Sequence, residues 1–124
     1  MRVINSGYLY ILLTVTFTVI GQLLVKAGML RVTSSFNQSP QFLSMVLGAF
    51  SEPLVMSGLA CAVLAAVSWF PAVARLPISI AYPFMAFSIV LVLALAPICF
   101  GERVTVNQWI GVILVSCGLW LATQ

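Results

Sequence analysis

Charge is what this sequence has least of. Five basic and two acidic residues are spread over 124 positions, and histidine is absent. A soluble domain carries roughly a quarter charged residues, so this chain cannot clothe a water-facing surface. The missing histidine excludes imidazole catalysis and histidine-ligated metals. Five cations are too few to neutralise a nucleic-acid backbone track, so no nucleic-acid partner is expected. No catalytic triad, phosphate-cradling glycine loop or carboxylate pair is present, and neither an enzymatic centre nor a cofactor is expected. Cys61, Cys99 and Cys117 have no paired spacing and lie in apolar runs, which makes them inert thiols rather than metal ligands or a disulfide. Disorder is excluded as well, because 63% of residues are hydrophobic and the mean hydropathy is +1.21. What remains is an integral membrane protein.

The few charges divide the chain. Arg2 and Lys26 bracket 23 uncharged residues, Glu52 and Arg75 bracket 22, Arg75 and Glu102 bracket 26, and 21 follow Arg103. A helix that crosses a bilayer needs about 20 apolar residues at 1.5 Å rise each. The intervals therefore predict four spans near 7–29, 54–74, 78–100 and 107–123, forming one all-α domain over 1–124. A β-barrel would need alternating strands of about ten residues. The first apolar stretch is too long for a signal-peptide core, and Val25-Lys26-Ala27-Gly28 is a poor cleavage site, so span one is expected to remain. Residues 31–52 are uncharged between their ends but polar, with Thr33, Ser34, Ser35, Asn37, Gln38 and Ser39 among them. Their second half, 40–50, places Phe42, Met45, Val46, Ala49 and Phe50 at helical spacing, which fits a short interfacial helix or a loop packed on the membrane surface.

Connections follow from the same map. Arg75-Leu76-Pro77 alone joins spans two and three, which predicts a tight antiparallel hairpin. Ser51 or Glu52 caps span two ahead of Pro53, and Asn107 is a candidate cap for span four. Glu102 and Arg103 mark the turn between spans three and four. Arg2 and Arg75 fall on one side, Lys26, Arg31 and Arg103 on the other, a tally compatible with either orientation.

Thr14, Thr18, Gln22 and Lys26 recur every fourth residue along one side of span one. Gln22 and Lys26 can together hold a phosphate through charge and hydrogen bonds, or Lys26 can simply snorkel to the headgroups. In span three, Pro83 has no N–H for the carbonyl of Ser79, so Ser79 and Tyr82 can line a cavity and Pro83 can serve as a hinge. Pro71, near Ser68 and Trp69, has the same two readings of hinge or tolerated kink. Gly111, Gly118 and Ala122 form a small-residue stripe on span four, suited to a dimer seam or to packing within the chain. Trp69, Trp109 and Trp120 read as interface and packing residues.

The runs Val19-Ile20-Gly21-Gln22 to Lys26, Arg75-Leu76-Pro77-Ile78-Ser79-Ile80-Ala81-Tyr82-Pro83, Phe100-Gly101-Glu102-Arg103 and Trp109-Ile110-Gly111 resemble the drug/metabolite transporter superfamily. The chain is similar to four-helix small multidrug resistance proteins, and more so to EamA-like subunits that flip undecaprenyl-phosphate-linked aminoarabinose. Multidrug exporters of that type carry a membrane-embedded glutamate where Thr18 stands here, and an aromatic where Met85 stands. A threonine hydroxyl cannot exchange a cation for a proton at physiological pH.

The resemblance thus implies a flippase-type subunit that moves a polyprenyl-phosphate-linked sugar or similar lipid phosphate across a bacterial inner membrane. It implies a homodimer or a heterodimer with a paralogue, among membrane lipids. Gln22, Lys26, Arg75, Ser79 and Tyr82 would then contact the substrate, with no metal and no cofactor. Two alternatives stand beside it. One is an exporter of small cations, for which only Glu52 and Glu102, both at helix ends, could serve. The other is a non-transporting accessory subunit of a membrane glycosyltransferase.

Overall fold

The computed structural model describes residues 2–36 and 41–122, with side chains described at 6–36 and 41–121. Asn37, Gln38, Ser39, Pro40, Thr123 and the side chains of Arg2 and Ala122, all part of the expectations above, lie outside the described residues. Five helices follow in order: α1 (Arg2–Ser34), α2 (Phe42–Ser51), α3 (Pro53–Val73), α4 (Ile78–Phe100) and α5 (Val106–Ala122). Residues Ser6–Ser34 of α1, together with α3 and α4, are long and apolar enough to cross a membrane. α5 has 17 residues and α2 has 10. At 1.5 Å per residue α5 reaches about 25 Å, the short end of the spanning range.

α1 runs beyond the expected interval 7–29. Its 33 residues measure about 50 Å, against roughly 30 Å of hydrocarbon. In the additional turns the polar side chains bond back to helix carbonyls. The Thr33 hydroxyl donates to the Met29 carbonyl, and the Ser34 and Ser35 hydroxyls donate to the Arg31 carbonyl at 2.8 and 3.0 Å.

The helix ends have local causes. Pro53 occupies the first turn of α3, where its missing N–H costs nothing, and Glu52 stands at the cap without a side-chain bond. α4 ends at Gly101, whose φ of +65° lies in the left-handed region, and its N–H reaches the Pro97 carbonyl at 3.0 Å. Asn107 does not cap α5. Thr105 does so instead, through a capping box with Gln108. The Thr105 N–H donates to Gln108 Oε1 at 2.7 Å, and the Gln108 N–H donates to Thr105 Oγ1 at 3.4 Å. The helix therefore starts one residue before the expected cap.

α1 is the hub. It packs along α3 over most of its length and also on α4; α2 rests on α1 and α3, and among the described residues α5 contacts α4 alone. α3 and α4 share a short connection yet make little contact with each other, so the expected tight hairpin is instead opened around α1. Gly7 against Leu76 just past α3, Gly21 against Gly58, and Gly28 against Val55 run α1 antiparallel to α3. Ile11, Val15 and Val19 of α1, four residues apart, form the buried core with Ala72, Leu76 and Ala81. Away from this seam the surface is apolar. Phe70, Ile89, Ile98, Leu114 and Trp120 are all exposed, an arrangement that water would not support and lipid tails would.

Candidate functional site

The polar face of α1 opens onto two neighbouring cavities. One, about 320 Å³, is lined by Thr14 and Thr18 of α1, Ala65, Ala66 and Trp69 of α3, and Tyr82 and Met85 of α4. The other, about 290 Å³, shares Thr18 and Ala65 and continues past Gly21, Gln22 and Val25 toward Gly58, Leu59 and Ala62. Together they make a groove along the α1–α3 seam that reaches α4 at its Tyr82 end. Small residues build it. A side chain on Gly58 would meet Val25 Cγ2 at 2.6 Å and the Gly21 carbonyl oxygen at 2.8 Å, so the glycines let the backbones approach closely and leave the groove floor low.

The residues expected at the site divide into two groups. Gln22 lines the groove, is exposed, and makes no side-chain hydrogen bond among the described residues. Lys26 lies one turn further along α1, where its Nζ stands 2.8 Å from Glu102 Oε1. Arg75, Ser79 and Tyr82 lie at the other end. The Arg75 guanidinium carbon sits 4.7 Å above the centre of the Tyr10 ring, a cation–π contact. Tyr10 and Lys26 are 16 residues apart on one helix, or about 24 Å, so Lys26 and Arg75 do not meet. Tyr82 stacks edge-on against Trp69, with ring centres 5.6 Å apart, and its hydroxyl has no partner among the described residues. Ser79 is exposed in the first turn of α4, outside both cavities. Of the four-residue repeat, Thr14 is buried and donates to the Tyr10 carbonyl at 2.8 Å, whereas the Thr18 hydroxyl has no partner among the described residues and faces both cavities.

The expected hinge residues lie within continuous helix. Pro71 is in the last turn of α3 and Pro83 in the second turn of α4, where it borders a separate apolar cavity of about 360 Å³ between α4 and α5. Pro97, also inside α4, is a third helix-interior proline beyond the two expected hinges. A side chain placed on Gly111 or Gly118 would meet nothing within 4 Å of its first carbon. These glycines do not pack within the chain, and the side of α5 that bears them is open.

Two features of the site lie outside the expectations drawn from sequence. Gly21, Gly28 and Gly58 form the close α1–α3 contact, and the seven-residue spacing of Gly21 and Gly28 is its signal. Glu102 reads in sequence as a turn marker and as a possible acid for cation export, whereas the structure makes it the ion-pair partner of Lys26. Arg31 Nη1 similarly stands 3.6 Å from Glu52 Oε1. Opposite charges far apart in sequence carry no local pattern that would pair them.

These features define a multi-pass helical membrane protein with a lateral groove, uncharged along its walls and flanked by a cation toward each end. The chain belongs to the EamA-like transporter family, whose model matches residues 47–124. It is 30% identical over 118 residues to a Yersinia pestis (strain Pestoides F) protein named probable 4-amino-4-deoxy-L-arabinose-phosphoundecaprenol flippase subunit ArnE, covering 94% of this chain and 95% of the relative. It is 31% identical over 124 residues to a Proteus mirabilis (strain HI4320) protein named as the corresponding ArnF subunit, covering 97% of this chain and 93% of the relative. No solved structure matches it. The likeness to these relatives runs through α1 and therefore includes Gln22 and Lys26, which lie before the stretch matched by the family model.

Proposed function

We propose that this protein is a flippase-type transporter subunit of a bacterial inner membrane, moving a polyprenyl-phosphate-linked sugar or a similar lipid phosphate between leaflets. The observation that carries the reading is the groove. It runs from Gln22 past Thr18 to Tyr82 with no acidic residue along its walls, and cations stand near both ends, Lys26 in its ion pair with Glu102 on one side and Arg75 on the other. An acid-free path suits an anionic head and offers nothing to a bare cation. The flippase names of full-length relatives point the same way.

In this mechanism α1, α3, α4 and α5 all span the bilayer, and α2 lies in the interface. The lipid tail stays among the surrounding tails while the head passes along the groove. Lys26 attracts the phosphate in one leaflet. Gln22, Thr18 and Tyr82 replace its water by hydrogen bonding, and Arg75 with Ser79 receives it in the other leaflet. Pro71 and Pro83 let the ends of α3 and α4 rock for alternating access. The open side of α5, with Gly111 and Gly118, is the seam with a second copy or a paralogue. That assembly closes a groove which one chain leaves open to lipid.

The test is translocation of a polyprenyl-phosphate sugar in vesicles holding the purified protein, alone and with a co-expressed paralogue. Lys26→Ala should lower the rate by at least tenfold, the loss expected when one charge-assisted contact of about 1.5 kcal/mol is removed. An unchanged rate would refute the role of Lys26.

A further inference from the structure

Lys26 does not present a bare charge. Its Nζ is 2.8 Å from Glu102 Oε1, and the two side chains are 48% and 43% exposed. The pair ties α1 to the connection that follows α4, one helical turn beyond the groove wall formed by Gln22. Arg103, next in sequence, is exposed and has no ion-pair partner among the described residues. The only other acidic side chain, that of Glu52, faces Arg31. This end of the groove therefore offers an anion held against a cation, with a second cation beside it.

That arrangement discriminates between lipid heads. A purely anionic head gains Lys26 but must meet the Glu102 carboxylate, and like charges at close range oppose each other. A head that carries an ammonium as well as a phosphate replaces both halves of the pair at once: its phosphate takes Lys26 and its ammonium takes Glu102. Exposed ion pairs are weakly held, so the exchange is accessible. Charge-assisted hydrogen bonds to each half favour it over a neutral contact. Specificity of this kind combines attraction for one ligand with repulsion of its competitor.

We propose that Glu102 is the specificity-determining residue of the groove, accepting a primary ammonium on a lipid phosphodiester whose phosphate is bound by Lys26. The inference rests on the reading of Lys26 as a phosphate contact. It assigns Glu102 a task that a simple structural pair would not have.

The experiment uses the full-length chain in a neutral detergent. Phosphatidylethanolamine and phosphatidylglycerol with identical acyl chains are titrated in together, and bound lipid is read by native mass spectrometry. The first probe has a phosphodiester and a primary ammonium; the second has the phosphodiester alone. The unaltered chain should prefer phosphatidylethanolamine. Glu102→Gln keeps an acceptor oxygen for Lys26 but removes the charge, and should lower the preference by about tenfold, the value of one charge-assisted hydrogen bond. Lys26→Met should weaken both lipids together. If Lys26→Met lowers both but Glu102→Gln leaves their ratio unchanged, the assignment of Glu102 is overturned while the phosphate contact stands. If neither substitution alters binding of either lipid, the phosphate contact fails and the assignment of Glu102 fails with it.

Discussion

Gly58→Ala places a single methyl group where α1 and α3 come closest. The new carbon would lie 2.6 Å from Val25 Cγ2, 2.8 Å from the Gly21 carbonyl oxygen and 3.0 Å from the Val25 nitrogen. Val25 can change rotamer, but the other two atoms belong to the α1 backbone and move only with the helix. Restoring ordinary contact distances of roughly 3.5–4.0 Å requires the helices to separate locally by about 1 Å. A gap of that size forfeits a quarter to a half of each contact's attraction along the seam. Within lipid no hydrophobic term offsets the loss, because the tails are as apolar as the side chains they replace. Overpacking of this kind costs about 1–3 kcal/mol, and the two rigid backbone neighbours put Gly58→Ala near the top of that range. Thermal unfolding of the purified chain in detergent, followed by near-ultraviolet circular dichroism, should show a midpoint lowered by several degrees. A midpoint equal to that of the unaltered chain would refute the close approach of α1 and α3, and with it the low floor of the groove.

Other substitutions test separate parts of the structure. Gly118→Leu adds bulk where nothing lies within 4 Å; it should leave the unfolding midpoint unchanged while reducing the dimer fraction in native mass spectrometry, and a lowered midpoint with an intact dimer would contradict the open face of α5. Thr105→Ala removes the hydroxyl and one side of the capping box; hydrogen exchange at the first turn of α5 should speed up about fivefold, matching a cap worth about 1 kcal/mol, with the α1–α3 seam unaffected.

Much of the architecture was legible because lipid makes charge expensive. Glu52, Arg75, Glu102 and Arg103 could be placed only near helix ends, and α3, α4 and α5 begin or end beside them, whereas Lys26 stands about two turns inside the end of α1. The polar row of Thr18, Gln22 and Lys26 was legible too, since four-residue spacing alone sets side chains on one side of a helix. The extension of α1 to Ser34 was not, because the hydroxyls of Thr33, Ser34 and Ser35 suggest a loop until they turn back onto helix carbonyls. Thr105 and Asn107 are both good caps in isolation, and only the return bond from Gln108 decides between them.

The sequence by itself determined the class of the protein, the bounds of α3 and α4 to within a residue, and the absence of any acid from its apolar intervals. These follow from the cost of burying charge in hydrocarbon, which is paid residue by residue and leaves a local record. Tertiary structure alone decided that α1 packs on both α3 and α4, that Gly21 and Gly58 meet closely beside the groove, and that Lys26 meets Glu102. Such pairings depend on which faces of distant helices come together. In a bilayer nearly every face is apolar, so shape and the few polar contacts choose the partners, and neither is written in the local pattern.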